Sequence, residues 1–170
     1  MAFKSTGSDV SSSFITAAAA DPDGVSTAAA VGNNAALTLG GALASGGSVT
    51  FDSPRNVTIL SGGDDSAISF TVAGTDESGT AATESITGAD TGTATGTKFF
   101  ATITSITAVG DPAGNVSAGS GTSIAGVISA SRCRLRGIYV VNGSGAATLK
   151  FREGSATVSY THLTLPTTSM

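Results

Sequence analysis

The sequence predicts an all-β fold, an antiparallel β-sandwich followed by a second, truncated β unit. The first observation is alternation: Val57 and Ile59 alternate with polar residues, and Phe70 and Val72 do so again. Successive side chains of a strand point to opposite faces, so this period is typical of a half-buried strand. The second observation is the Gly- and Asp-rich turn sequences at 62–65 and 76–79. With a third, weaker strand ending at Ile86, the stretch predicts a three-stranded meander.

The first fifty residues are less regular. Residues 1–11 are polar and predict a flexible N-terminus, and 14–17 predict a first edge strand. The Ala-rich stretches at 17–20 and 28–30 have helix propensity, but Pro22 interrupts them and no amphipathic stripe develops. We expect a loop there, with at most one helical turn. Apolar pairs at 37–39 and 49–51 flank two Gly pairs, which predicts a hairpin.

Residues 97–106 predict another strand, in which Ile103 and Ile106 fall on opposite faces. Either a bulge shifts the phase or both faces are partly covered. The sequence DPAGN at 111–115 predicts a turn, and the Gly- and Ser-rich residues 120–123 predict a linker. The expected organisation is therefore a sandwich over 12–119 and a truncated β unit over 124–157.

Composition limits the possible functions. Val, Ile, Leu and Phe make up 36 of 170 residues, so the core is thin and self-association is expected. A net charge of −4 gives no reason to expect nucleic acid as a partner. No apolar run is long enough to span a bilayer, and the N-terminus lacks the apolar region of a secretory signal. Cys133 is the single cysteine and is expected to be a small buried group.

One basic stretch is a candidate contact site. Arg132, Arg134 and Arg136 alternate along a predicted strand, which places three guanidinium groups on one face. They suit an acidic patch on a neighbouring subunit, a phosphate or an anionic glycan. The simpler alternative is a solvated sheet face that pairs with carboxylates of the first unit.

No metal, cofactor or catalytic site is predicted. Acidic residues at 21–24, 64–65 and 76–77 raise the possibility of calcium, but none has the spacing of a calcium-binding loop, and turn chemistry accounts for each. The sequence has no nucleophile elbow, no phosphate-binding Gly-Lys motif and no cluster of His and Cys. We therefore expect a protein that is not an enzyme.

Two segments resemble structural proteins of tailed bacteriophages, as found in environmental genomes. GALASGGSVTFDSPRNVTILSGGDDSAISFTVAGTDESG and ESITGADTGTATGTKFFATITSI are similar to Ig-like β-sandwich modules of that class, and SRCRLRGIYVVNGSGAATLKFREGSAT to the start of a second β-sandwich. Residues 158–167, VSYTHLTLPT, resemble the translation of a sequencing adaptor. We expect 158–170 to be an artefactual tail; the alternative is a genuine terminal strand.

The resemblance implies a virion structural protein, made in the host cytoplasm, that acts by docking on other virion proteins and on itself. Capsid decoration, neck, tail and fibre components all fit, with some preference for the particle surface; a host-surface glycan is a further expected partner. The alternative from another class is a carbohydrate-binding or adhesive β-sandwich module of a bacterial surface protein.

Overall fold

The computed structural model describes residues 19–126, and every regular element in that range is a β-strand. In chain order the strands are β1 (Asp21–Ala30), β2 (Ala44–Ser45), β3 (Ser48–Ser61), β4 (Ser69–Thr75), β5 (Ala81–Thr87), β6 (Thr93–Thr95), β7 (Phe100–Val109) and β8 (Asn115–Ile124). All pairings between them are antiparallel. The all-β prediction is confirmed for this part of the chain. The predicted N-terminus and edge strand, the second unit from 127 onward and the tail lie outside the described residues.

The long strand β3 connects two halves of the structure. Its first part pairs with β7, as in Val49 opposite Ile103, and its second part pairs with β8, as in Thr58 opposite Gly119. The strand order is β1-β8-β3-β7-β4-β5, with β2 and β6 also paired to β3 and no closure between β1 and β5. The register shifts between Thr50 and Arg55, a stretch that contains Pro54, which has no amide hydrogen to donate. β3 therefore belongs to two layers of a sandwich-like fold.

One hydrophobic core lies between these layers. It takes side chains from the β8 half, such as Val57 and Val116, and from the β7 half, such as Phe70 and Ile106, and all four are fully buried. Burying each such side chain contributes roughly 1.5–3 kcal/mol. The remaining core residues are Val25, Leu37, Val49, Phe51, Ile59, Val72, Ile86, Phe100, Ile103, Ala108 and Ala118.

The predicted meander is only half right. β4 and β5 form the expected hairpin, with Ser69 opposite Thr87 and a turn that closes through the Asp76 amide to the Thr80 carbonyl at 2.8 Å. β3 and β4 do not pair, because β7 lies between them. The Gly-rich residues 62–65 instead lead from β3 in one layer to β4 in the other. Period-two alternation identifies strands but not their neighbours.

In β7 the alternation of inward- and outward-facing side chains is shifted by a bulge, which is one of the two explanations left open by the sequence. Ala73 lies opposite Ser105, but Gly74 lies opposite Ile103, so Thr104 is an extra residue on β7. The bulge lets both Ile103 and Ile106 face the core, while Thr104 is exposed.

The predicted hairpin near residue 46 forms over a shorter span than expected. Gly46 and Gly47, both with positive φ, connect β2 to β3. Residues 37–39 are not one of its strands. Instead, Ala36 and Leu37 lie along β7: Ala36 is opposite Thr107, and the Leu37 amide donates to the Ile106 carbonyl at 2.8 Å.

Two small-residue segments predicted as irregular are paired strands. Of the two Ala-rich stretches expected to be loop, residues 28–30 lie in β1, which pairs with β8. The predicted linker 120–123 continues β8, and Asn56 on β3 fixes it by accepting a hydrogen bond from the Ser123 amide at 3.1 Å. Small residues are required here because the strands are very close: a Cβ on Gly119 would lie 2.6 Å from the Pro22 Cα. The sandwich therefore extends beyond 119, and 120–123 is not a linker.

Candidate functional site

The predicted basic contact, Arg132, Arg134 and Arg136, lies outside the described residues and stays a prediction. The described part of the chain is acidic instead. Residues 19–126 contain ten acidic residues and only two basic ones, Arg55 and Lys98, which corresponds to a formal charge of −8. Any docking of this unit on a basic surface is therefore favoured by long-range attraction.

The acidic turns act as turn caps. Asp64 Oδ1 accepts hydrogen bonds from the Ser66 hydroxyl at 2.6 Å and amide at 3.0 Å, and Asp76 Oδ1 accepts the same pair from Ser78 at 2.6 and 2.8 Å. The Ser66 hydroxyl, followed by its amide, lowers the pKa of Asp64, and the Ser78 hydroxyl is the main cause that lowers the pKa of Asp76. Within residues 19–126, no three His, Cys, Asp or Glu side chains are grouped to hold a metal ion.

Asp65, next to Asp64 in sequence, is fully buried. Its Oδ1 accepts a hydrogen bond from the Ala113 amide at 2.7 Å, and its own amide donates to the Ala89 carbonyl at 3.0 Å. Its Oδ2 is buried without a hydrogen-bond partner. Asp65 therefore joins three connections, those after β3, β5 and β7. Nothing in the sequence distinguishes it from its exposed neighbour.

Glu84 on β5 also has a structural role. Its Oε1 accepts hydrogen bonds from the Thr97 amide at 2.6 Å and hydroxyl at 2.9 Å, and from the Lys98 amide at 3.2 Å. Lys98 Nζ in turn donates to the Thr83 carbonyl at 2.7 Å. These hydrogen bonds connect the outer strand β5 to the segment that precedes β7.

Arg55 is a buried cation that sequence analysis did not single out. Only 5% of its surface is exposed, at the position where β3 changes partner from β7 to β8. Its Nη1 donates to the Ala19 carbonyl at 3.0 Å and to Ser120 Oγ at 3.4 Å. The sequence gives only a weak indication that Arg55 is buried: it directly follows Pro54 at the start of an alternation of apolar and polar residues.

With respect to residues 19–126, the outer edge of β1 is open over part of its length. Near its start it is covered, because the Gly24 and Val25 carbonyls accept hydrogen bonds from the Leu43 and Gly41 amides at 2.7 and 3.2 Å. Residues 27–30 are exposed, and among residues 19–126 they pair only with β8. The stretch from 24 to 31 contains no charged residue and no proline. Most natural sheet edges are protected by such residues, so this edge is suited to pairing with another strand.

Together these features define residues 19–126 as an all-β, antiparallel, sandwich-like domain in which part of the β1 edge is open. Comparison with known proteins found no matching family model, no matching curated protein and no matching solved structure. Among the described residues there is no helix with the length and apolarity needed to cross a membrane.

Proposed function

We propose that this protein is a structural subunit of a bacteriophage particle that acts by docking on neighbouring subunits, without catalysis. The phage assignment rests on the resemblance of residues 41–79, 84–106 and 131–157 to virion β-sandwich modules. The docking role rests on one observation, the open and uncharged edge of β1 over residues 27–30.

An open edge offers free amide and carbonyl groups to a second strand. Main-chain hydrogen bonds then provide affinity, and the side chains of the edge set specificity. The exposed side chains at 28–30 are all alanine, so they present no bulk that would keep a second strand away. A second copy of β1, running antiparallel to the first, satisfies both edges at once and gives a symmetric dimer.

Charge supports a second contact between copies. Residues 127–170 contain five basic residues and one acidic residue, a formal charge of +4, against −8 for residues 19–126. The basic segment of one subunit is therefore attracted to the acidic unit of another. The predicted contact of Arg132, Arg134 and Arg136 with an acidic patch fits this arrangement.

Sedimentation velocity of the full chain tests docking through β1. We expect self-association that weakens in Ala29→Lys, because a lysine on the edge must be desolvated when a second strand pairs. Ala67→Lys adds the same charge at an exposed position outside the strands and is the matched control. Equal association of both variants would exclude the β1 edge. Added salt should weaken only the contact that depends on Arg134 and Arg136.

The place in a particle needs a separate test. We favour the particle surface, with capsid decoration, neck, tail and fibre as the possible positions. Portal, capsid or tail genes beside this one, and the protein in the mass spectrum of purified particles, are the expected results. A neighbouring secretion or sorting cassette would instead favour the adhesive module of a bacterial surface protein.

A further inference from the structure

The sheet of residues 19–126 has two terminal strands, β1 on one side and β5 on the other. Within this range β5 pairs only with β4. Glu84 is the only charged residue of β5, and its carboxylate accepts hydrogen bonds from the Thr97 and Lys98 amides. Besides β1, the described unit therefore has a second edge whose backbone is suited to pairing with another strand.

The hydrogen bonds around β4 show which backbone groups of β5 point away from the sheet. The Ala73 carbonyl accepts a hydrogen bond from the Thr104 hydroxyl of β7 at 3.2 Å, so it points away from β5. Thr83 lies opposite Ala73 on β5, and its backbone groups therefore point away from β4. Because this direction alternates along a strand, every second residue of β5 shares it. These outward residues, all of them exposed, are Ala81, Thr83, Ser85 and Thr87.

Lys98 covers the middle of this outward edge. Its Nζ donates a hydrogen bond to the Thr83 carbonyl at 2.7 Å. The lysine is positioned from β5 itself, because both carboxylate oxygens of Glu84 accept the Lys98 amide, each at 3.2 Å. A strand that pairs with β5 must displace the ammonium group from Thr83 or bury it, and both cost free energy. The open part of β1 differs, since residues 24–31 contain no charged residue.

We propose that Lys98 protects the β5 edge and thereby limits docking through strand edges to a closed pair of subunits. If both edges were unprotected, β1 of one copy would pair with β5 of the next. Such a head-to-tail contact repeats without closing and gives an open chain. With β5 protected, two copies that pair through β1 satisfy both of their open edges at once. This inference rests on the proposed docking through β1 and adds what stops it at two subunits.

Sedimentation velocity of Lys98→Ala in the full chain tests the proposal, at about 0.5 M salt so that the contact of Arg134 and Arg136 is screened. We expect the parent protein to reach twice the mass of one chain and to stop there. Lys98→Ala should exceed that mass as its concentration rises. The substitution makes the acidic unit more acidic, so weaker charge repulsion cannot be the cause of this increase.

Two further variants separate the protecting charge from other effects of the substitution. Lys98→Arg keeps the charge and the hydrogen-bond donors, and it should stop at two subunits like the parent protein. Ser85→Pro removes an outward amide without breaking a hydrogen bond to β4, as proline does at sheet edges. Added to Lys98→Ala, it should restore the limit of two subunits. Lys98 is exposed, so Lys98→Ala should keep the circular dichroism spectrum of the parent protein.

Amide hydrogen exchange distinguishes failure of this proposal from failure of docking through β1. If Lys98 protects β5, the Thr83 and Thr87 amides of Lys98→Ala become protected as concentration rises, and Ala29→Lys does not remove this protection. If in addition the parent protein is a monomer, docking through β1 is wrong and the protective role of Lys98 stands. The proposal would be overturned if Lys98→Ala and the parent protein had the same mass at every concentration, or if Lys98→Arg associated like Lys98→Ala.

Discussion

Gly119 lies where the β8 backbone is close to the β1 backbone, and Gly119→Ala tests whether this segment is a packed strand. A Cβ on Gly119 would lie 2.6 Å from the Pro22 Cα and closer still to the carbonyl groups of Asp21 and Pro22. These are backbone atoms, so no side-chain rotation relieves the overlap. β1 has to move away from β8 by about 1 Å to reach an ordinary carbon–carbon contact of roughly 3.5–4.0 Å.

The expected cost follows from the effect of overpacking. Added methyl groups in a well-packed core cost roughly 1–3 kcal/mol, and the rigid neighbours of Gly119 place this change at the upper end. With a urea m-value of about 1–3 kcal/mol/M, a loss of ~3 kcal/mol lowers the unfolding midpoint by about 1–3 M. Urea denaturation of the full chain, followed by circular dichroism, measures this shift.

Gly40→Ala is the matched control. Gly40 is exposed, its backbone does not have positive φ, and an added Cβ meets nothing nearer than 3.8 Å. This substitution should stabilise the fold by about 0.5 kcal/mol, because alanine reduces the entropy of the unfolded chain. If Gly119→Ala and Gly40→Ala behaved alike, residues 119–123 would be a flexible linker and the pairing of β1 with β8 would be wrong.

Three further predictions concern carboxylates. Asp65→Ala should lower the free energy of unfolding by about 1–3 kcal/mol, because the Ala113 amide loses its acceptor. Asp65→Asn keeps an acceptor for that amide and should cost less. Equal losses of stability for the two variants in urea titrations would contradict this role of Asp65. Glu84→Ala should cost about 1–2 kcal/mol through the amides it binds, whereas Glu77→Ala should be nearly neutral in thermal melts. The lowered pKa values of Asp64 and Asp76 mean that their ionised forms stabilise the folded state above the ordinary carboxyl pKa, and that this contribution is lost as pH falls below about 4. The double variant Asp64→Asn with Asp76→Asn should therefore lose less stability than the parent protein between pH 6 and pH 3, and an unchanged pH dependence would count against the turn caps.

The sequence was sufficient to predict the strands that alternate clearly. Phe70 and Val72 lie in β4 with their side chains buried, and the turn after β4 forms where Asp76 and Gly79 predicted it. Alternation could not reveal that β7 separates β3 from β4, because pairing depends on which layer each strand joins. The connection after β3 is Gly-rich whether it closes a hairpin or passes between layers.

Composition was misleading where the strands are closest. A Gly- and Ser-rich stretch is typical of a linker, but β8 needs the same residues because β1 and the Asn56 side chain leave no room for a Cβ. The Ala-rich stretch of β1 was ambiguous for a related reason, since its pairing with β8 overrides its helix propensity. The burial of Arg55 and Asp65 also arises from tertiary contacts, which no local pattern records.

Amide hydrogen exchange at residues 27–30, measured as a function of protein concentration, tests the docking claim most directly. Among the described residues of one subunit, only the amides that bond to β8 have partners in the sheet, and the others on this edge face outward. If copies dock through β1, the outward amides become protected as the concentration rises, and Ala29→Lys abolishes that protection. Outward amides that exchange equally fast at every concentration at which the protein self-associates would contradict docking through this edge.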